Sequence, residues 1–305
     1  MPTRRTMLTA ALAAAVGGPL AAASTASASV SVAPISVSLS PYVETVAVLD
    51  ACDMVNLYNY GQGGWTNLEL TARAVYIGAP GVFAILPDSN DIAIYNGTPG
   101  SWTTIGGPGA QFAIGGSYLY GLGPSGNYVA VWNGLSSGWA VIGGAASAIA
   151  AGGYGLVAKN PAGNAVYRYV GGSWTQIGDS SIATGSTFSV SDSGIYAVTA
   201  AGVVEQWAGG MSWTVIGSGV QTLHVGGDGV YGVQSSTGDI AQYNGTPGYW
   251  TIIGGPGSDF AVSDTAVYGL APDLSYVAQY SPGNGWYVIS GGLTGSQVNA
   301  IAAGG

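Results

Sequence analysis

A tryptophan that returns at nearly constant spacing constrains the fold of this chain more than any other feature. The spacings between successive copies are 37, 37, 35, 39, 37 and 36 residues. Five copies open a W-[TA]-x-I-G phrase, and the first and last copies are degenerate. A fixed period of this length indicates stacked copies of one supersecondary unit. The repeated tryptophans are Trp65, Trp102, Trp139, Trp174, Trp213, Trp250 and Trp286.

Each copy contains four short apolar runs, which predict four β-strands. The runs are rich in β-branched and aromatic residues, and Gly, Pro, Asn or Ser separates them, as is typical of strands joined by tight turns. No window beyond the N-terminal segment predicts a helix. The repeating unit is therefore predicted to be a four-stranded antiparallel sheet, present seven times. In the copy that starts at Trp102 the runs are Trp102–Ile105, Gln111–Ile114, Tyr118–Leu122 and Tyr128–Trp132.

The two ends of the repeat array predict a closed ring. The last copy stops after Gln297–Ala302 and lacks two strands, whereas Thr45–Leu49 and Val55–Tyr58 supply strands of the missing type. An open solenoid has no reason to split a repeat in this way. We therefore predict an all-β fold, a seven-bladed β-propeller of four-stranded antiparallel blades whose closing blade is shared by the N- and C-termini. Two segments, Ile35–Leu39 and Gln297–Ile301, compete for the innermost strand of that blade.

The N-terminus has the pattern of an export signal. Arg4 and Arg5 precede an apolar segment, Met7–Ala23, and Ala26-Ser27-Ala28 is a small-x-small cleavage site. Thr3–Leu8 resembles a twin-arginine signal, and the general secretory route stays open as the alternative. We predict a signal peptide over residues 1–28, a linker over 29–36 and one propeller over 37–305. The mature protein is expected to be secreted and extracellular.

Charge and cysteine content exclude several classes of partner. The chain has 5 Lys+Arg against 14 Asp+Glu, a net charge of −9, so it lacks the basic surface that nucleic acid requires. No later apolar segment is long enough to predict membrane insertion. The single cysteine, Cys52, rules out a disulfide within the chain, and we expect a buried thiol there.

With the repeat in view, the chain resembles the tectonin and tachylectin group of β-propeller lectins. The resemblance is carried by W-T-x-I-G, then V-Y-G-[LV], then a short strand that ends in Tyr-Asn-Gly, and it covers about Val37 to Gly305. It implies five to seven blades and binding of sugars or lipopolysaccharide. The V-Y-[RK]-[RW] phrase of tectonins survives only in part, as Val166-Tyr-Arg-Tyr169.

The sequence offers few residues for catalysis, and no cofactor is predicted. His224 is the only histidine, so a His-pair metal site is impossible and a Ser-His-Asp triad would have to use it. We expect His224 to be a hydrogen-bonded residue of an innermost strand, and Lys159 to be a solvated charge. Asp88 and Asp91 share one loop, which is a weak candidate for calcium and, like Asp50 with Asp53, for paired-carboxylate catalysis.

Polar loops on one rim are the best candidates for ligand contacts. Asp, Asn and backbone amides beside an aromatic ring suit a neutral sugar, although the same residues are ordinary turn formers. The repeated Trp and Tyr residues pack between blades or provide stacking platforms for sugars. The copy with Ala200-Ala-Gly202 in this loop should be empty. The candidate residues are Asp88, Asn90, Asn127, Asn164, Asp239 and Asp273.

Three functions remain open on the sequence. The first is a secreted, multivalent, lectin-like protein with weak sites in rim loops between blades, whose partners are glycans or cell-surface polysaccharide. The second is a non-catalytic surface or matrix propeller that binds another extracellular protein. The third is a carboxylate-dependent lyase or glycosidase, which the lone histidine and scarce cations disfavour.

Overall fold

The computed structural model describes residues 45–59, 63–291, 293 and 297–304, and these residues form a ring of seven β-sheets. Each sheet has four antiparallel strands, which confirms the predicted seven-bladed β-propeller. The sheets are called blades I to VII here. The predicted signal peptide, the predicted linker and Ile35–Leu39 lie outside the described residues. No helix in the described ranges is long and apolar enough to cross a membrane.

The strands follow one another along the chain, blade by blade. Blade I contains β1 (Val46–Asp50), β2 (Met54–Asn59) and β3 (Gly64–Thr71). Blade II contains β4 (Ala74–Gly78), β5 (Gly81–Ile85), β6 (Ile92–Tyr95) and β7 (Trp102–Gly106). Blade III contains β8 (Gln111–Gly115), β9 (Tyr118–Leu122), β10 (Val129–Trp132) and β11 (Trp139–Gly143). Blade IV contains β12 (Ala148–Gly152), β13 (Gly155–Lys159), β14 (Val166–Val170) and β15 (Ser173–Gly178).

A single-turn helix, α1 (Ser180–Ala183), connects blade IV to blade V, and no pattern in the sequence predicted it. Blade V contains β16 (Thr187–Val190), β17 (Ile195–Val198), β18 (Val204–Gly209) and β19 (Ser212–Gly217). Blade VI contains β20 (Val220–Gly226), β21 (Gly229–Gln234), β22 (Asp239–Tyr243) and β23 (Trp250–Pro256). Blade VII contains β24 (Asp259–Val262), β25 (Val267–Leu270), β26 (Val277–Ser281) and β27 (Gly285–Val288). The last strand is β28 (Val298–Ala303).

Blade I is completed by the C-terminus. Its strand order is β28-β1-β2-β3, so β28 is the innermost strand and Gln297–Ile301 is the correct one of the two predicted alternatives. β28 pairs antiparallel with β1, with Val46 opposite Ala303. Beyond that pair, the Gly304 amide donates to the Thr45 carbonyl at 3.0 Å. The two ends of the ring are therefore joined by an ordinary strand pair.

The repeated tryptophans open the outermost strand of each blade, and the next run along the chain is the innermost strand of the following blade. The connections between blades and the turns between second and third strands consequently lie on the same side of the ring, called the loop face here. Thr45 precedes the start of β1, and Gly304 follows the end of β28. Both residues therefore lie on the side of the ring opposite the loop face.

Each repeated tryptophan is bonded to the blade before it. Its indole Nε1 donates to a backbone carbonyl on the outer part of the preceding blade at 2.7–3.0 Å, and the bond from Trp65 to Ile289 closes the ring. The acceptor is always the third residue after that blade's own tryptophan, which explains the W-x-x-I spacing. The acceptors, from blade I to blade VII, are Leu68, Ile105, Ile142, Ile177, Ile216, Ile253 and Ile289.

The glycine that ends W-T-x-I-G is required by the same contact. A Cβ added at Gly254 would lie 2.5 Å from Nε1 of Trp286, and one at Gly217 would lie 2.5 Å from Nε1 of Trp250. The W-T-x-I-G phrase thus contains the indole that donates, the carbonyl that accepts from the next blade's indole, and the glycine that leaves room for that indole.

The hydrophobic core is divided among the interfaces between blades. Seven clusters of buried apolar side chains occur in the described residues, and each draws on two neighbouring blades. Val48 of blade I, for example, packs with Tyr268 and Val277 of blade VII. Five of the tryptophans also pack beside a tyrosine on the adjacent strand, as Trp250 does beside Tyr243 with ring centroids 5.1 Å apart. The predicted packing role of the repeated aromatics is confirmed.

The sequence prediction of a buried thiol is wrong. Cys52 is exposed, because it lies in the β1–β2 turn, where its amide is bonded to Asp50.

Removal of residues 297–305 is expected to destabilise the protein strongly. The deletion takes away β28, exposes the edge of β1 and opens the core shared by blades VII and I. We expect the melting temperature to fall by many degrees, or the protein to aggregate, as measured by circular dichroism and light scattering. A truncated protein that melts like the full chain would contradict the closing role of β28.

Adjacent glycines provide a matched pair for the tryptophan contact. Gly254→Ala is expected to lower the free energy of unfolding by about 1–3 kcal/mol, because the methyl group overlaps the Trp286 indole. Gly255→Ala meets nothing within 4 Å, and its effect should stay within about 0.5 kcal/mol. Urea titration of both variants measures the difference, and equal effects would show that the indole contact does not need the glycine.

Candidate functional site

Two clefts lie at successive interfaces, one on each side of blade VI. The cleft between blades V and VI, called cleft V/VI, has a volume of about 260 Å³. The cleft between blades VI and VII, called cleft VI/VII, has a volume of about 360 Å³. Cleft V/VI is lined by Gly217, Ser218, Val220, Gly232, Gln234, Ala241, Gly248 and Trp250. Cleft VI/VII is lined by residues 254–257, Phe260, residues 269–272, Tyr276, Ala278 and residues 286–288.

The two clefts occupy equivalent positions in successive repeats. Trp250 and Trp286 form corresponding walls, and the glycine before each cleft, Gly217 or Gly254, ends a W-T-x-I-G phrase. Gly232 and Gly269 lie beneath the indoles, where an added Cβ would approach the ring at 3.2 and 3.1 Å. These glycines let the indole lie close against the backbone, and the indole then forms one wall of each cleft.

Cleft VI/VII combines aromatic rings with accessible backbone. Tyr276 and Tyr287 are 41% and 39% exposed at its edge, and Trp286 and Phe260 lie deeper. The end of β23 and the residue after it, Gly254-Gly-Pro-Gly257, contribute main-chain groups, and three of these four residues have no side chain to cover them. None of the residues that line this cleft is charged. A neutral ligand with a flat apolar face and several hydroxyls fits this chemistry.

Two of the six predicted ligand residues border cleft VI/VII. Asp239 lies opposite Pro256 in the β22–β23 pair, and Asp273 follows Pro272, so each neighbours a residue of the cleft wall. Asp273 accepts hydrogen bonds from the amide and the hydroxyl of Ser275, and these bonds hold the pKa of its carboxyl below the ordinary value.

The other four predicted residues lie on three turns of the loop face, in blades II, III and IV. Asn90 accepts a hydrogen bond from Arg73, and Asn164 accepts one from Asn160 at 2.7 Å. Asn127 is exposed, as is Asp88 in the same turn as Asn90. The structure brings none of these four side chains to either cleft. No group of three His, Cys, Asp or Glu side chains in the described ranges could hold a metal ion, and this includes the Asp88–Asp91 turn.

His224 lies on the innermost strand β20, as predicted. Its ring packs edge-on against Phe260 of blade VII with centroids 5.8 Å apart, and its Nε2 lies 3.3 Å from the Thr222 hydroxyl. Burial lowers the pKa of the imidazole, while the charge of Asp259 acts in the opposite direction. A neutral, packed imidazole is therefore favoured at neutral pH.

The three described cations are engaged within the protein, contrary to the prediction that Lys159 is solvated. Lys159 Nζ donates to the Ser186 carbonyl of the next blade at 2.9 Å, and burial lowers its pKa. Arg168 donates to the Tyr154 carbonyl at 2.7 Å, and its guanidinium lies 4.4 Å from the Tyr154 ring centroid and 5.3 Å from that of Trp207. With Arg73 bonded to Asn90, the described surface offers little to an anionic ligand.

The lowered pKa of His224 predicts acid sensitivity. An unfolded histidine binds its proton near the ordinary pKa of 6.5, whereas the folded one resists protonation, so stability is lost as pH falls below that value. His224→Asn should lose less stability than the wild type between pH 7.5 and about pH 5. Urea titrations at both pH values test this, and identical losses would contradict a depressed pKa.

Comparisons with known proteins support the fold alone. No family model matches the chain, and no curated protein matches it. A protein of unknown function from Desulfotomaculum acetoxidans has a similar structure, with 10% identity and a TM-score of 0.53, over 86% of this chain and 99% of that one. A proposed 6-phosphogluconolactonase from Bacteroides fragilis matches with 12% identity and a TM-score of 0.54, over 85% and 97% of the two chains.

The ectodomain of the Physcomitrella patens receptor kinase CR4 is also similar, with 14% identity and a TM-score of 0.51, over 80% of this chain and 71% of that one. At such low identities the three likenesses show a shared β-propeller fold.

Proposed function

We propose that the protein is a secreted carbohydrate-binding protein of the tectonin and tachylectin kind, with its binding sites in the clefts between blades. The observation that carries the proposal is cleft VI/VII, where Tyr276, Trp286 and the glycine-rich end of β23 surround about 360 Å³ without a charged side chain. The equivalent cleft V/VI supports it, because a repeated site is what a multivalent binder needs.

The cleft chemistry matches a neutral sugar. The C–H face of a pyranose packs against an aromatic ring, and its hydroxyls exchange hydrogen bonds with amide and carbonyl groups such as those of residues 254–257. Asp239 and Asp273 at the border are acceptors for further hydroxyls. The net charge of −9 and the engaged cations disfavour acidic polymers as ligands.

Each site is expected to be weak and to act together with others. A shallow cleft offers few hydrogen bonds, so its dissociation constant should be on the order of tens of micromolar to millimolar. Linked sites on a glycan-bearing surface raise the apparent affinity by roughly 10²–10⁴-fold. Binding should change little with salt, because the ligand is neutral.

A glycan array followed by isothermal titration tests the proposal. Tyr276→Ala removes an exposed ring from cleft VI/VII and should weaken sugar binding there about 2–10-fold. Leu135→Ala is the matched control, because Leu135 is 65% exposed in the β10–β11 turn and far from either cleft in the chain. It should leave affinity unchanged.

Three results would count against this function. They are a failure to bind any glycan on the array, one tight site per chain, and a steep loss of binding between low and high salt. The first would favour an extracellular protein as the partner.

A further inference from the structure

We infer that the ligand is a linear, neutral polysaccharide chain that occupies clefts V/VI and VI/VII together by crossing the outer edge of blade VI. The inference rests on the proposed carbohydrate function and names the class of carbohydrate. A binder of single terminal sugars would need only separate clefts, whereas this part of the ring has a continuous surface between two of them.

One strand connects the two clefts. Trp250, at the start of β23, lines cleft V/VI, and Gly254 and Pro256, at its end, line cleft VI/VII. The clefts lie on opposite faces of blade VI, and β23 is the outermost strand of that blade. The direct path between the clefts therefore runs over the outer edge of β23.

The surface along this path is apolar and uncharged. Ile252, midway along β23, is 57% exposed, and Tyr249, beside the cleft residue Gly248, is 63% exposed. β23 contains no charged residue, as is also true of every other outermost strand except β3. Charged side chains usually protect an exposed edge strand, so nothing on β23 repels a neutral ligand that crosses it.

An edge strand also supplies the hydrogen-bonding groups that a sugar chain can use. The outward side of β23 has no further strand to pair with, so its backbone groups are open to solvent except where the next blade binds them, as Trp286 binds the Ile253 carbonyl. Hydroxyls of a polysaccharide can bind these groups while the C–H faces of its rings pack against Ile252 and Tyr249.

The same apolar character continues on the neighbouring blades. The residue two places after the repeated tryptophan is Val215 in blade V and Val288 in blade VII, and these are 55% and 60% exposed. The corresponding residue is polar in blades I, II and IV, as Asn67, Thr104 and Gln176, and apolar in blade III, where Val141 is 46% exposed. Only around the two clefts do three consecutive blades, V to VII, carry an exposed apolar residue at this position.

The separation of the clefts sets the length of the ligand. Packed sheets lie roughly 10 Å apart and diverge toward the outer edge of a propeller, so the path exceeds that distance. One sugar ring cannot span it, and a chain of several units is needed.

The experiment is a titration of the protein with cellulose- and chitin-derived oligosaccharides, from the monosaccharide to the octasaccharide. Affinity should rise with length by at least about 10-fold, because the second cleft is then engaged within one complex.

Ile252→Asp should remove this gain in affinity with chain length, while the monosaccharide affinity stays unchanged. Val141→Asp, at the equivalent position of β11 and 46% exposed, should keep the gain. Tyr249→Ala should reduce it, and thermal melting confirms that each variant is folded.

The outcomes separate this inference from the proposed function. Monosaccharides and octasaccharides that bind equally well would overturn the inference and leave the cleft function standing. A length-dependent gain that Ile252→Asp and Val141→Asp reduce equally would also overturn it. If no saccharide of any length binds, both proposals fail together.

Discussion

The hydrogen bond from each repeated indole to the preceding blade is the interaction on which the rest of this structure depends. A four-stranded blade cannot bury both of its faces alone, and all the core clusters lie between blades. One such bond contributes only about 1 kcal/mol, but it fixes where neighbouring outer strands meet. The bond from Trp65 to Ile289 repeats this geometry between two residues that are 224 positions apart in the chain. Ring closure therefore uses the same contact as every other interface.

Periodicity made the architecture predictable. The tryptophan spacing, the four apolar runs per copy and the repeat divided between the two termini all indicate the same four-stranded unit. The innermost strand of blade I was not predictable, since Ile35–Leu39 and Gln297–Ile301 both have the composition of a short strand. Lys159 was misjudged because its partner, Ser186, belongs to the next blade and leaves no local signal. Cys52 was misjudged because free cysteines are generally buried, whereas this one lies in a turn.

The candidate site shows a different limit of sequence reasoning. A search for polar loops finds turn residues, and several of these, such as Asn164 and Asp273, are bonded to neighbours in their own turns. The clefts are instead walled by indoles that lie close against glycines such as Gly232, Gly254 and Gly269. Glycine after W-T-x-I was visible in the sequence as a repeat, but its meaning depends on an indole one blade away. Residue types alone could not reveal that contact.

The place where the chain enters and leaves the propeller has a practical consequence. Thr45 and Gly304 are hydrogen-bonded neighbours on the face opposite the loops, at the two inner strands of blade I. A linker attached beyond Gly304 would begin on that face. The protein could accordingly be immobilised through such a linker on a sensor or bead with the loop face directed to solution. Under the proposed function, display in many copies on such a surface would turn weak individual contacts into firm adhesion.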